Sequence, residues 1–77
     1  MERKPTYGEK AVGITFNPAN SDEVHQLKSA YATLIDGLND DREKATDPEV
    51  KRMLSVAITE AQTSQMWAVK AVTWEKK

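Results

Sequence analysis

With 77 residues the chain makes one domain, and a single core of that size rarely supplies more than about 3–5 kcal/mol, so a staple or a partner is needed. Cysteine is absent, which excludes disulfides and suits an intracellular, reducing compartment, while one histidine and carboxylates not gathered in a ligand-like motif make metal a poor candidate and oligomerisation remains as the staple. Eleven Lys plus Arg against twelve Asp plus Glu leave a net charge of −1, which excludes a long-range field for duplex nucleic acid or an anionic membrane, and no run approaches the ~20 apolar residues of a membrane span.

Residues 1–20, MERKPTYGEKAVGITFNPAN, read as an arm. Pro5, Gly8, Gly13 and Pro18 interrupt any long helix, leaving room for one short helical turn. No apolar run follows the initial charges, so no signal peptide is expected. Tyr7, Val12, Ile14 and Phe16 are too apolar for a tail kept in solvent, and the arm is expected to pack on its own or a neighbouring subunit.

The first long helix is predicted over about 21–39, starting at Asn20 or Ser21, with Asn20 and Glu23 as a capping box. Val24, Leu27, Tyr31, Leu34 and Leu38 hold an a/d heptad of large side chains, widened by Ile35. The polar stretch Asn39–Asp47 is predicted to connect it to a second helix over about 48–74. Asp47 followed by Pro48 marks that start, with Thr46 and Glu49 as an alternative box, and Lys76 and Lys77 suit the other end.

The second helix carries two stripes. Leu54, Ala57, Ala61, Ser64, Ala68 and Ala71 form a seam of mostly small side chains, which complements the bulky seam of the first helix and predicts an antiparallel all-α hairpin. Nearly opposite, Arg52, Ser55, Thr59, Gln62, Met66 and Lys70 fall within about 80° of one another, a polar stripe with a cation at each end. Met53, Val56, Trp67 and Trp74 on one side and Ile58, Val69 and Val72 on the other leave the helix apolar around most of its girth, more than one partner helix covers.

Catalysis finds little support. Nucleophilic chemistry needs a placed base, and His25 projects about 100° from the heptad seam, where a solvated role accounts for it. Gly8, Gly13 and Gly37 are isolated, so neither a P-loop nor a dinucleotide fingerprint occurs, and no enzyme and no cofactor is expected. Recognition of a flat anionic ligand needs aromatic faces, cations and hydroxyls. Phe16 and Tyr7 in the arm, Lys28 on the first helix, and Arg52, Ser55, Thr59 and Lys70 on the second are the candidates. Each also has a plain structural role: Lys28 as a snorkelling flank, Arg52 as a partner for Glu49, Thr59 bonding back to its own helix. Periodicity alone ends at an oligomeric helical hairpin with a polar stripe.

The segment GEKAVGITFNPANSDEVHQLKSAYATLID, followed by RMLSVAITEAQTSQMWAVKAVTW, resembles the helical-hairpin domain of phage anti-CBASS sponge proteins, which is similar to the hairpin region of the anti-Thoeris sponges. The second helix carries most of the likeness, in Arg52, Ser55, Ala57, Thr59, Gln62, Met66 and Lys70. The resemblance implies an interlocked homo-oligomer, a hexamer, that sequesters cyclic oligonucleotide second messengers without cleaving them and so blocks host immunity. It implies cyclic dinucleotides held between protomers, with Phe16 against a base and Lys28 on the phosphates across a subunit boundary. In some members cyclic trinucleotides occupy separate interfaces, which here would draw on Arg52, Ser55, Thr59 and Lys70. Phe16 stands where tyrosine is expected, losing a hydroxyl, and Lys70 where arginine would give a bidentate fork. Without a β-rich N-terminal extension the chain is more similar to the anti-CBASS type. The alternative, from a different class, is a small helical interaction module that inhibits a host protein directly and takes no nucleotide.

Overall fold

The structure, a computed structural model, is described over residues 3–18 and 20–75, so the part expected of Lys76 and Lys77 lies outside the described residues. It contains α1 (Tyr7–Val12), α2 (Asp22–Lys44) and α3 (Pro48–Val72). Among the described residues no helix is long and apolar enough to cross a membrane.

The arm is more ordered than one loose turn. Thr6 caps α1: its hydroxyl accepts from the Glu9 amide at 3.0 Å, and the Glu9 carboxylate accepts from the Thr6 amide at 2.9 Å, a complete capping box. At the other end Gly13 stands at φ 62, a left-handed position that costs glycine least. There the Gly13 amide donates to the Lys10 carbonyl at 3.2 Å and the Ile14 amide to the Glu9 carbonyl at 3.0 Å, which closes the last turn. Pro5 lies outside the helix and Gly8 inside it. The breakers therefore bound α1 or serve its packing and do not prevent it.

Glu9 also receives two guanidinium bonds from Arg3, at 3.1 and 2.9 Å. Those bonds first, and the Thr6 amide second, hold its carboxyl below the ordinary carboxylate range. A carboxyl so lowered stabilises the fold at pH above its unfolded pKa, and the contribution disappears as pH falls through the lower folded value. Acidification below the usual carboxylate range should therefore loosen α1 before the long helices. Amide exchange in Glu9–Val12 compared with Ile58 across that range checks this, and equal loss of protection would contradict it.

The first long helix starts one residue later than an Asn20 cap requires and ends five residues later than expected. Asn20 sits at φ 51, in the left-handed region, whereas an N-cap needs extended backbone; Ser21 takes the role and accepts from the Val24 amide at 3.3 Å. Asn39–Lys44 is polar but free of Gly and Pro, so nothing breaks the helix, and Arg42 and Lys44 suit its negative end. The connection shrinks to Ala45–Asp47. Lys51 reaches back to the Arg42 carbonyl at 3.2 Å, occupying one acceptor at the helix end. Asp47 then caps α3 by accepting from the Glu49 amide at 2.9 Å, with Pro48 first in the helix, as the sequence predicts.

The long helices run antiparallel: Arg42 meets Ser55 at 3.0 Å and Tyr31 meets Ser64 at 2.6 Å, so earlier residues of one pair with later residues of the other. The predicted seams are rotated, however. On α2 the buried line is Val24, Lys28, Ala32 and Ile35, while Leu34, expected at a core position, is 51 % exposed. On α3 it is Ile58, Ala61 and Gln65, while Ser64 and Ala71 are exposed. The cause is a third body. A heptad assumes one partner per helix, but α1 packs on α2 beside α3, which pulls both buried stripes toward it. Val12 of α1 completes a core with Ala32, Ile35, Ile58 and Ala61.

Gly8 is the point of closest approach. A Cβ there would stand 2.1 Å from the Ala32 carbonyl oxygen, so only glycine lets the backbones meet. Its amide donates to Asp36 at 2.7 Å, and on the α3 side Gln62 reaches the Ala11 carbonyl at 3.4 Å.

Candidate functional site

Lys28 and Phe16, far apart in sequence, meet in one chain. Lys28 is a buried residue of α2, 5 % exposed, and its ammonium donates to the Gly13 carbonyl at 3.0 Å and to the Phe16 carbonyl. The same ammonium lies 5.5 Å from the centre of the Phe16 ring. Burial pushes the lysine pKa down from its ordinary value. Two carbonyls favour the charged form in return, and of its three donors one remains uncommitted by these contacts. The snorkelling flank of the sequence reading is thus an interior cation, and it stands beside Phe16 of its own chain.

These two residues border a cavity of about 220 Å³, lined also by Asn17, Pro18, Val24, Val69 and Thr73. The arm supplies one wall, the start of α2 the floor and the end of α3 the other wall. Asn17 is locked by a reciprocal pair with the Ser21 backbone, accepting from its amide at 3.1 Å and donating to its carbonyl at 2.8 Å. Thr73 donates to the Val69 carbonyl at 2.7 Å, which leaves its hydroxyl oxygen as an acceptor at the rim. Phe16 itself is 72 % exposed, so its ring presents a face to solvent. The chemistry offered is a flat aromatic surface beside a shielded positive charge in an otherwise apolar hollow. That suits a planar base attached to an anion.

The remaining candidates do not join this site. Tyr7 stands at the start of α1 with the Arg42 guanidinium 5.5 Å over its ring, and Arg42 in turn holds Ser55 at 3.0 Å and Asn39 at 2.7 Å. Ser55 is thereby tied to α2 and Gln62, through the Ala11 carbonyl, to α1; the polar stripe has its inner edge drawn into the fold. Arg52 pairs with Glu49 at 2.6 Å on the exposed side, the partner the sequence suggests. Thr59 is exposed, and its carbonyl accepts from the Thr63 hydroxyl at 3.1 Å. Lys70 lies 5.2 Å from the Trp67 ring and 5.8 Å from the Trp74 ring, held by cation–π contacts on both sides. From Arg52 to Lys70 is about 27 Å of helix, so one chain does not gather the set.

Sequence reasoning missed Asn17 and Thr73 as lining residues and Arg42 as the link between Tyr7 and Ser55. Only Arg42 left a signal, since it continues the true buried line of α2 by one turn beyond the predicted helix end. Met53, Val56, Trp67 and Trp74 form an exposed apolar stripe on the side of α3 away from the core.

Compared with known protein families, residues 9–73 match the model described as Acb2/Tad1, hairpin domain. No curated protein and no solved structure matches the chain.

Proposed function

Since this chain belongs to the Acb2/Tad1 hairpin family, we propose that it is a phage immune-evasion protein of the sponge type, which binds cyclic oligonucleotide second messengers and withholds them, uncleaved, from CBASS-type host defence. The observation that carries the reading is the cavity where the Phe16 face and the Lys28 ammonium converge. A cyclic dinucleotide has two bases and two phosphates, and one protomer offers one such aromatic and one such lysine. The ligand is therefore completed by a second copy, whose apolar stripe on α3 also needs a cover. The assembly is a homo-oligomer, a hexamer on the family's pattern. Arg52, Ser55, Thr59 and Lys70 serve a cyclic trinucleotide only where copies bring them together.

Among the described residues that line the cavity, the polar side chains are an ammonium, an amide locked to backbone and a hydroxyl, a set suited to holding an anion. The test is calorimetry against a panel of cyclic di- and trinucleotides, with recovery of ligand after heating the complex and sedimentation of the free protein. Tight binding, return of intact ligand and a defined oligomer are expected. Cleaved ligand, or a monomer with no affinity for any member of the panel, would overturn the proposal.

A further inference from the structure

The Phe16 side chain is placed by its backbone and not by packing. Its ring is largely exposed, so packing does not set its position, and its backbone lies in the turn between α1 and α2. The Phe16 amide donates to the Gly13 carbonyl at 2.9 Å, and the turn beyond it is held by Asn17 and Ser21, but those bonds fix the chain after Phe16 and do not tie the Gly13–Phe16 stretch to the body of α2. The Gly13 and Phe16 carbonyls, three residues apart, both point at the ammonium of Lys28. Lys28 itself is anchored in the rigid part of the molecule, between Val24 and Ala32 on the buried line of α2.

We infer that Lys28 is the latch of the arm: by holding the Gly13 and Phe16 carbonyls it ties the turn to α2 and so sets where the Phe16 ring stands before any ligand arrives. Lys28 is then a positioning residue for the aromatic wall as well as a charge in the cavity. Two carbonyl partners also explain how an ammonium is tolerated at this depth. A phosphate reaching the cavity finds one donor of Lys28 uncommitted and an aromatic already in place, so little ordering remains to be done on binding. That last consequence rests on the nucleotide reading above; the latch itself does not.

Two measurements on ligand-free protein decide the latch. In heteronuclear NMR of the native chain, the Lys28 ammonium protons should exchange with water at least roughly tenfold more slowly than those of exposed Lys10. In Lys28→Met, which keeps the stem and removes the donors, the Phe16 amide should exchange roughly tenfold faster or more while the Ile58 amide keeps its protection. A Lys28 ammonium as fast as that of Lys10, or a Phe16 amide unchanged in Lys28→Met, overturns the inference. The first measurement needs no variant and decides the matter if Lys28→Met does not fold. Calorimetry with cyclic di-GMP and cyclic di-AMP over Lys28→Met, Phe16→Ala and the double variant then reads the positioning. The double variant should lose less affinity than the product of the two single losses, because the ring is already displaced in Lys28→Met; a loss equal to the product overturns the positioning role. If the native chain binds neither dinucleotide, the functional reading fails while the exchange results still decide the latch.

Discussion

Gly8→Ala should undock α1 and lower the melting temperature, against the direction that helix propensity predicts. Inside a helix, alanine normally stabilises by roughly 0.5–1 kcal/mol over glycine. Here the added methyl would stand 2.1 Å from the Ala32 oxygen, 2.8 Å from its carbonyl carbon and 2.9 Å from the Asp36 carboxylate. Two of those three atoms are backbone of a packed helix, so the side that gives is the short one, α1. Overpacking of that kind costs about 1–3 kcal/mol, and separation of α1 also exposes Val12 and breaks the bond from Gly8 to Asp36. The steric term wins. For a domain of this size each kcal/mol lowers the melting temperature by about 4–8 °C. Gly37→Ala is the matched control, because a methyl there meets nothing within 4 Å, and it should stabilise by about 0.5–1 kcal/mol. Thermal unfolding by circular dichroism of both variants checks the pair; a Gly8→Ala protein at least as stable as Gly37→Ala would mean that α1 is not docked as described.

The second large effect is on ligand affinity. Phe16→Ala should weaken cyclic dinucleotide binding roughly 5- to 150-fold, since stacking of a base on an aromatic is worth about 1–3 kcal/mol. Lys28→Ala should cost at least as much as one charge-assisted contact, roughly 10- to 150-fold. Lys70→Ala should leave this ligand unaffected, because Val69 and Thr73 line the cavity whereas Lys70 does not and is held by its two indoles. For a cyclic trinucleotide the order should reverse, with Lys70 and Arg52 mattering and Phe16 not. Titrating both ligands against both sets of variants makes a crossed comparison. A cyclic dinucleotide lost with Lys70→Ala and retained with Phe16→Ala would put its site on the outer face of α3.

The hairpin was legible in the residues because its signals are local. Asp47 and Pro48 mark the start of α3 and the apolar repeats mark both long helices, although the core takes one small and one large side chain from each, Ala32 and Ile35 with Ala61 and Ile58, and not a bulky seam against a small one. What the repeats do not carry is the angle at which each helix faces its neighbour. That angle depends on α1, and α1 is docked by Gly8 against Ala32, a contact between residues 24 apart in sequence that reads locally as a helix breaker. Leu34 and Ser64, core positions by periodicity, are consequently exposed, whereas Lys28 and Gln65, off the periodic seams, are buried. The end of α2 was misjudged for a simpler reason. The polarity of Asn39–Lys44 reads as a loop, yet charged residues without Gly or Pro continue a helix readily.

The site was legible in part. Phe16 and Lys28 follow from the need for an aromatic face and a cation, and from the resemblance, and in the fold the Lys28 ammonium lies 5.5 Å from the Phe16 ring. No periodicity indicates that a lysine on α2 is met by carbonyls of the arm, because the turn that aims them depends on the left-handed Gly13 and on the docking of α1. Arg52 and Thr59 stay exposed on the outer side of α3, Arg52 pairing with Glu49 of the same helix, while Ser55 is taken up by Arg42. A stripe defined by angle alone does not separate its inner edge from its outer one.

Both tryptophans of the chain lie at the end of α3, on solvent-facing sides of Lys70, at 66 % and 61 % exposure. The intrinsic fluorescence of this protein therefore reports on one small region and almost nothing else. Emission from wet indoles sits at long wavelength and shifts to the blue when that end of the helix is covered, so a dilution series read at a single tryptophan band becomes a label-free monitor of association. The same placement makes the arm optically silent: detachment of α1, some 60 residues away along the chain, would pass unseen in a fluorescence melt.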